Sequence, residues 1–252
     1  MLLTVLGCSG SVPAAASPAS GYLVRADGAS VVLDLGNGVF GALQRYIDPF
    51  ALEGLVLSHL HPDHCADVSA MTVYRRYHPR PPRHGTLPLY GPSDAAERLT
   101  AAYAPNAGER KITDLSDVYN FRSYRDVARV GPFEVRAAPV DHPCEAYALR
   151  FHHAGKALVF SGDTGPCGQL VELATGADVL LAEASWTYQP NNPPGVHLSG
   201  RDAGEAAAAA GVGRLLLTHV PPWTDPEHVL AEAQAAFSGP TELVHAGAHY
   251  EI

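Results

Sequence analysis

Six consecutive residues, His59-Leu60-His61-Pro62-Asp63-His64, carry three imidazoles and one carboxylate. Neutral imidazole nitrogen and carboxylate oxygen are the donors that zinc, manganese and iron prefer. The stretch follows Gly54-Leu55-Val56-Leu57, an apolar run that reads as a buried strand. A strand end holds its backbone rigidly, and the turn after it can aim side chains at one point. His59 and His61 lie two apart, so on extended backbone they face the same side. Asp63 and His64 come after the turn and suit a second, adjacent ion. The bland alternative is a polar loop rich in His by chance; the H-x-H-x-D-H order weighs against it.

This order of residues resembles the metallo-β-lactamase superfamily. The resemblance implies later ligands, each at the end of its own strand. Phe133–His142 fits the first, an extended run ending in His; Ala157–Thr164 fits the second, an apolar strand closed by Gly162-Asp163-Thr164; Gly213–His219 fits the third. They arrive in the family's order, so the likeness spans nearly the whole chain. By that match His59, His61 and His142 would bind one metal ion and Asp63, His64 and His219 the other, with Asp163 bridging them. The implied cofactor is two divalent metal ions, zinc first, with manganese or iron accepted by the same donors. The implied fold class is α/β, a metallo-β-lactamase-like αββα sandwich of two β-sheets flanked by helices. It would form a single domain over residues 1–252, made of two similar halves, about 1–115 and 116–252.

The elements that must position these side chains are legible independently. Leu55-Val56-Leu57-Ser58-His59 and Leu215-Leu216-Leu217-Thr218-His219 are near copies: apolar strand, small hydroxyl residue, His. A site built between two α/β halves would receive one His from each. Apolar and alternating runs predict strands near 2–7, 21–26, 30–34, 54–58 and 87–90, then 133–140, 146–153, 157–161, 178–182, 214–218 and 241–245. Helices are predicted near 38–47, 65–77 and 92–103, then over Arg201–Ala210 and Pro226–Phe237. The stretch His78-Pro79-Arg80-Pro81-Pro82-Arg83-His84 must be a loop, because so many prolines prevent regular structure.

The N-terminal Leu6–Pro13 and Ser17–Val24, with Val32-Leu33-Asp34-Leu35-Gly36-Asn37-Gly38, resemble the opening of the ribonuclease Z group. In ribonuclease Z and related small phosphodiesterases, a Glu and a non-ligand His form a pair; Glu183, at the end of an apolar strand, and His197, before an Ala-rich helix, stand at the matching places. By that likeness His197 protonates the leaving oxygen and Glu183 orients it; together with Asp63 they are the expected catalytic residues. Phosphodiester chemistry has use for such a set. The anion repels hydroxide, two metal ions can neutralise it and activate a water, and the departing alkoxide still needs a proton. Taken alone, Glu183 reads as a solvated strand-end carboxylate and His197 as a loop residue.

The chain has 252 residues, 46% of them hydrophobic, with no apolar run long enough to span a membrane and no basic-then-apolar leader after Met1. Cys8, Cys65, Cys144 and Cys167 are scattered and form no C-x-x-C pair, so reduced thiols and a cytoplasmic setting are expected. Cys65 and Cys144 lie beside ligand positions, as second-sphere or oxidation-sensitive groups or simply as small apolar fillers. Net charge is −9, from 17 basic and 26 acidic residues, which argues against gripping long nucleic acid through its phosphates. The interval from His142 to Asp163 leaves no room for the long arm with which ribonuclease Z reaches tRNA, and the interval from Asp163 to His219 carries no basic or Gly-rich protrusion. A small phosphodiester is therefore the expected partner, cyclic AMP or a similar cyclic nucleotide first. Short Ala-rich relatives with cyclic AMP activity are similar in general pattern, and relatives of this type imply a homodimer. A tRNA 3′-processing endonuclease shares every metal ligand with this reading; a thioester or lactam hydrolase, or a metal-binding protein without turnover, is the more distant alternative.

Among the other residues, Arg75, Arg76, Arg80 and Arg83 read as a phosphate-attracting rim or as solvated charge. His78, His84, His152, His153 and His228 read as loop or surface residues, and His245 and His249 as buried and hydrogen-bonded. Gly7, Gly10 and Gly21 are expected to permit close backbone approach beside the metals.

Overall fold

Strands that are almost wholly apolar must be covered on both faces, and this chain has several. A computed structural model describes residues 1–80, 85–124 and 127–252. Its first sheet holds β1 (Leu2–Gly7), β2 (Gly21–Ala26), β3 (Ala29–Leu33), β4 (Gly54–Val56), β5 (Leu87–Gly91) and β6 (Tyr119–Ser123). The second holds β7 (Ala128–Val130), β8 (Phe133–Pro139), β9 (Tyr147–His153), β10 (Lys156–Phe160), β11 (Val179–Glu183), β12 (Arg214–Thr218) and β13 (Thr241–Leu243). From the chain's end, β14 (His249–Glu251) returns to pair with β1 and completes the first sheet.

Both sheets have seven strands, in the orders β14-β1-β2-β3-β4-β5-β6 and β13-β12-β11-β10-β9-β8-β7. Their pairing patterns match. Four strands run antiparallel to their neighbours, β14 to β3 and β7 to β10, and three parallel ones follow, β4 to β6 and β11 to β13.

Alternation along the strands divides them between three cores. Val5, Tyr22, Val31, Leu33 and Val56 from the first sheet meet Phe133, Phe151, Phe160, Leu181 and Leu216 from the second. The outward residues Leu23, Val32, Leu55 and Leu57 pack under α1 (Val39–Leu43), α3 (Val68–Tyr77) and α4 (Ala95–Tyr103); α2 (Pro62–Cys65) lies between α1 and α3 in the chain. On the other side Val159, Leu180, Leu215 and Leu217 pack under α5 (Gly168–Ala174), α6 (Gly200–Ala210) and α7 (Pro226–Ala236). The result is the expected αββα sandwich. Removing one central side chain such as Phe160, as Phe160→Ala, would cost about 3–5 kcal/mol.

Most expected elements are present, with shorter ends. The helix expected over 65–77 instead begins at Pro62, a residue suited to a helix's first turn, and splits into α2 and α3. Pattern reading missed β6, β7, β14 and α5. Two of these strands have three residues each, too few to establish a period of two, and α5 opens on glycine. The near-copy segments end strands at different places: β4 is fifth in its sheet counting from β14, and β12 is sixth counting from β7. Of the Pro- and Arg-rich loop, Pro81–His84 lie outside the described residues. Among the described residues no helix is long and apolar enough to cross a membrane.

Candidate active site

The site lies where strand ends from both sheets converge. His59 follows β4, Asp163 follows β10 and His219 follows β12; His142 lies just beyond β8, and Asp63 and His64 sit on the single turn of α2. Pro62 in the first position of α2 presets that turn, and His64 N–H donates to His61 O at 2.9 Å. Two glycines let neighbouring backbone close in. A Cβ on Gly36 would stand 1.8 Å from Asp63 O, and one on Gly10 would stand 2.2 Å from His219 O. Gly7 and Gly21, expected beside the metals, pack instead against Ala19 and Val39.

Two clusters result. In the first, His61 Nδ1 stands 3.1 Å from both His59 Nε2 and His142 Nε2, and Asp163 Oδ2 stands 3.7 Å from His59 Nε2. In the second, His219 Nε2 stands 3.1 Å from His64 Nε2 and from Asp63 Oδ2, while His64 Nε2 stands 3.2 Å from Asp163 Oδ1. Asp163 belongs to both. Its Oδ1 is buried and accepts no hydrogen bond. Nitrogens that converge at 3.1 Å have no proton to share if their rings are protonated on the far side. They match adjacent corners of a coordination shell with bonds of about 2.0–2.1 Å. The donors therefore fit a dinuclear metal site.

The far nitrogens are engaged as metal ligation requires. His59 Nδ1 faces Ser58 Oγ at 3.1 Å, His142 Nδ1 donates to Val196 O at 2.9 Å, His64 Nδ1 meets Asp34 Oδ2 at 2.7 Å and His219 Nδ1 meets Ser185 Oγ at 2.9 Å. Cys144 Sγ lies 3.8 Å from His61 Nε2. His219 takes φ of 57°, a left-handed conformation that costs a non-glycine residue on the order of 1–3 kcal/mol and marks a position held by its surroundings.

Electrostatics separates the clusters. Burial lowers the pKa of His59, His61 and His142, leaving them neutral. Burial also opposes charge on Asp63 and Asp163, but the neighbouring imidazoles of His64 and His219 outweigh it and hold both carboxyls well below the usual range. The first cluster is thus rich in neutral imidazole and the second in carboxylate.

Beside them, Glu183 is fully buried, and its Oε1 accepts from His197 Nδ1 at 2.9 Å and from Thr164 N–H at 2.8 Å. The His197 ring centroid is 5.8 Å from that of His142 and 5.6 Å from that of His219. Burial works against charging His197, but the Glu183 carboxylate and its hydrogen bond, with Asp163, push the pKa up to about 9. Trp186 packs edge-to-face on His197, with centroids 5.2 Å apart. Just downstream, Ser199 and Asp202 form a capping box that starts α6 and anchors the segment carrying His197.

Residue by residue, the structure brings together His59, His61, Asp63, His64, His142, Asp163, Glu183, His197 and His219. Sequence reasoning gave no role to Asp34, Ser58, Ser185 or Trp186. For Asp34 a signal existed: a single carboxylate directly after the apolar strand Ala29–Leu33. It is fully buried, at φ 56°, and accepts from both the N–H and the Oγ–H of Ser58 at 2.7 Å. Arg75 is no rim cation; it is buried, donates to Pro49 O and Gly85 O and covers Phe50. Arg76 pairs with Asp117. Arg83 and His84 lie outside the described residues. His245 and His249, expected buried, are exposed, although His249 Nδ1 meets Thr4 Oγ1 at 2.9 Å. Cys65 packs in the outer core of the first half, where burial pushes its thiol up to about 12.

The family model of the β-lactamase superfamily domain matches residues 29–220. The chain belongs to the β-lactamase superfamily. This member is 53% identical to an uncharacterized protein of Mycobacterium leprae, over 99% of this chain and 88% of that one. It is 32% identical to ribonuclease Z of Mycolicibacterium gilvum, over 89% of this chain and 85% of that one. The crystal structure of the metallo-β-lactamase fold protein YhfI from Bacillus subtilis superposes with a TM-score of 0.85 at 26% identity, covering 99% of each chain. This superfamily member is a metal-dependent hydrolase of the phosphodiesterase-type branch that includes ribonuclease Z.

Proposed function

We propose that the protein hydrolyses a small phosphodiester, a cyclic nucleotide such as cyclic AMP first, with His197 as general acid. The observation that carries this is the Glu183–His197 pair, 2.9 Å apart, beside both clusters. His59, His61, His142 and Asp163 would hold one ion; Asp63, His64, His219 and Asp163 would hold the other. Zinc is the leading candidate, with manganese and iron accepted by the same donors. When bound, the ions supply neutralising charge to the phosphate and acidify the attacking water.

The chain's own residues do the rest. Asp63, held ionised, accepts a hydrogen bond from that water and orients it. Glu183 accepts a hydrogen bond from His197 Nδ1–H, so the Nε2–H of the imidazolium is the one that delivers a proton to the leaving oxygen. Trp186 fixes the ring's tilt. After the transfer His197 is neutral and still bonded to Glu183, ready to take up a proton from solvent, to which its side chain is 14% exposed.

Three features support a small substrate over a long nucleic acid: the net charge of −9, the tight turn between β9 and β10, and the short path from Asp163 to His219 through α5, β11 and α6. The identity with ribonuclease Z favours a second reading, cleavage of precursor tRNA at its 3′ side. Four unpaired cysteines agree with a cytoplasmic setting. Tyr77 and Ile112, 68% and 78% exposed and lining one groove, favour a homodimer. The test is a screen of the metal-loaded protein against cyclic nucleotides, bis(p-nitrophenyl) phosphate and precursor tRNA. Turnover of cyclic nucleotides supports the first reading, turnover of tRNA alone the second, and inactivity on every phosphodiester defeats both.

A further inference from the structure

Ser185 carries no part of the chemistry described so far, yet its hydroxyl is fully buried between two functional groups. Its Oγ–H donates to Glu183 Oε2 at 2.7 Å, and the same oxygen faces His219 Nδ1 at 2.9 Å. A hydroxyl has one proton and two lone pairs. With the proton directed to the carboxylate, the oxygen can only accept from His219, which places the His219 proton on Nδ1 and leaves Nε2 bare toward the second cluster. Glu183 uses its other oxygen for His197. One carboxylate thus serves two imidazoles, His197 directly and His219 through Ser185.

We infer that Ser185 is a positioning residue that makes Glu183 set both the hold on the ion at His219 and the placement of His197. A counterpart in the first half supports this. Ser58 Oγ–H donates to Asp34 Oδ2 at 2.7 Å and faces His59 Nδ1 at 3.1 Å, while Asp34 also meets His64 Nδ1. The same carboxylate-and-hydroxyl link therefore occurs twice, which sets Ser185 apart from an incidental buried serine. Strain adds a need for it: His219 is left-handed at φ 57°, so its ring orientation requires an outside hold.

The inference rests on His219 being a metal ligand, as proposed above. Zinc titrated into the full-length protein against a chromophoric chelator resolves the binding steps. Ser185→Ala, which removes one oxygen and adds no volume, should weaken one step by about 10–100-fold and leave the other unchanged, the usual effect of removing an outer partner of a ligand. His197→Ala should weaken neither. In the wild-type protein, nitrogen-edited imidazole spectra should find the His219 proton on Nδ1. Unchanged steps in Ser185→Ala, equal weakening of both, or a proton on His219 Nε2 would each overturn the inference. A wild-type chain binding fewer than two zinc ions would instead defeat the dinuclear reading beneath it.

Discussion

The two halves use the same small device to different ends. In the first, Asp34 and Ser58 join His59 to His64, one member of each candidate metal cluster. In the second, Glu183 and Ser185 join His219, a candidate ligand, to His197, the proposed general acid. Both carboxylates are fully buried. A buried carboxylate is tolerated only when its lone pairs are filled, and each is filled by backbone N–H, serine and imidazole. On the proposed reading, similar parts join two metal ligands in one half and a metal ligand to a proton donor in the other, depending on what the second imidazole faces.

The strongest way to break that comparison is to remove the group common to both clusters. Asp163→Ala should lose both ions and reduce turnover to background, whereas the wild type should carry about two transition-metal ions per chain by elemental analysis. Retention of both ions and rate would show that Asp163 is not shared.

Next in size is the proton-handling end. His197→Ala should keep its metal while kcat falls by about 10²–10⁴-fold on alkoxide leaving groups, the range of a lost general acid. With p-nitrophenolate, which needs little protonation, the fall should be much smaller. Equal losses on both would assign His197 to binding.

The two carboxylates should then part company. Asp34→Asn should weaken both ions by about 10–100-fold, since it holds a ligand of each. Glu183→Gln should show its main effect in pH profiles. With its pKa pushed up to about 9, His197 is protonated across neutral pH, so the wild-type rate on poor leaving groups should hold and then decline as pH rises through that value. Without the Glu183 charge the folded pKa drops, so the decline should begin at lower pH. An unmoved alkaline limb in Glu183→Gln would detach the pair.

The smallest effect concerns the seam between halves. Tyr22 on β2 and Thr218 at the end of β12 share a buried hydrogen bond of 2.6 Å. Tyr22→Phe should lower stability by about 0.5–1.5 kcal/mol in denaturant melts and leave turnover almost unchanged. A large loss of activity would mean the bond sets the position of His219.

The ligand-bearing stretch His59–His64 was legible because a single turn after a single strand brings all four donors together; local geometry suffices. The strand ends at His142, Asp163 and His219 were legible because short extended or apolar runs, such as Ala157–Phe160 and Leu215–Leu217, each lead into a donor. Asp34, Ser58 and Ser185 were not, because a serine or aspartate after a strand is common and becomes functional only when a residue distant in sequence meets it. The pairing of β14 with β1 joins residues about 250 apart, and three-residue strands carry no periodicity to announce it. Sequence alone determined which residue types can bind metal, in what order, and that doubly buried strands must be sandwiched between helical layers. Only the tertiary structure decided which imidazole nitrogen faces the centre, that Asp163 reaches both clusters, and that Glu183 is shared. These depend on side-chain directions at strand ends from two different sheets, which no local pattern records.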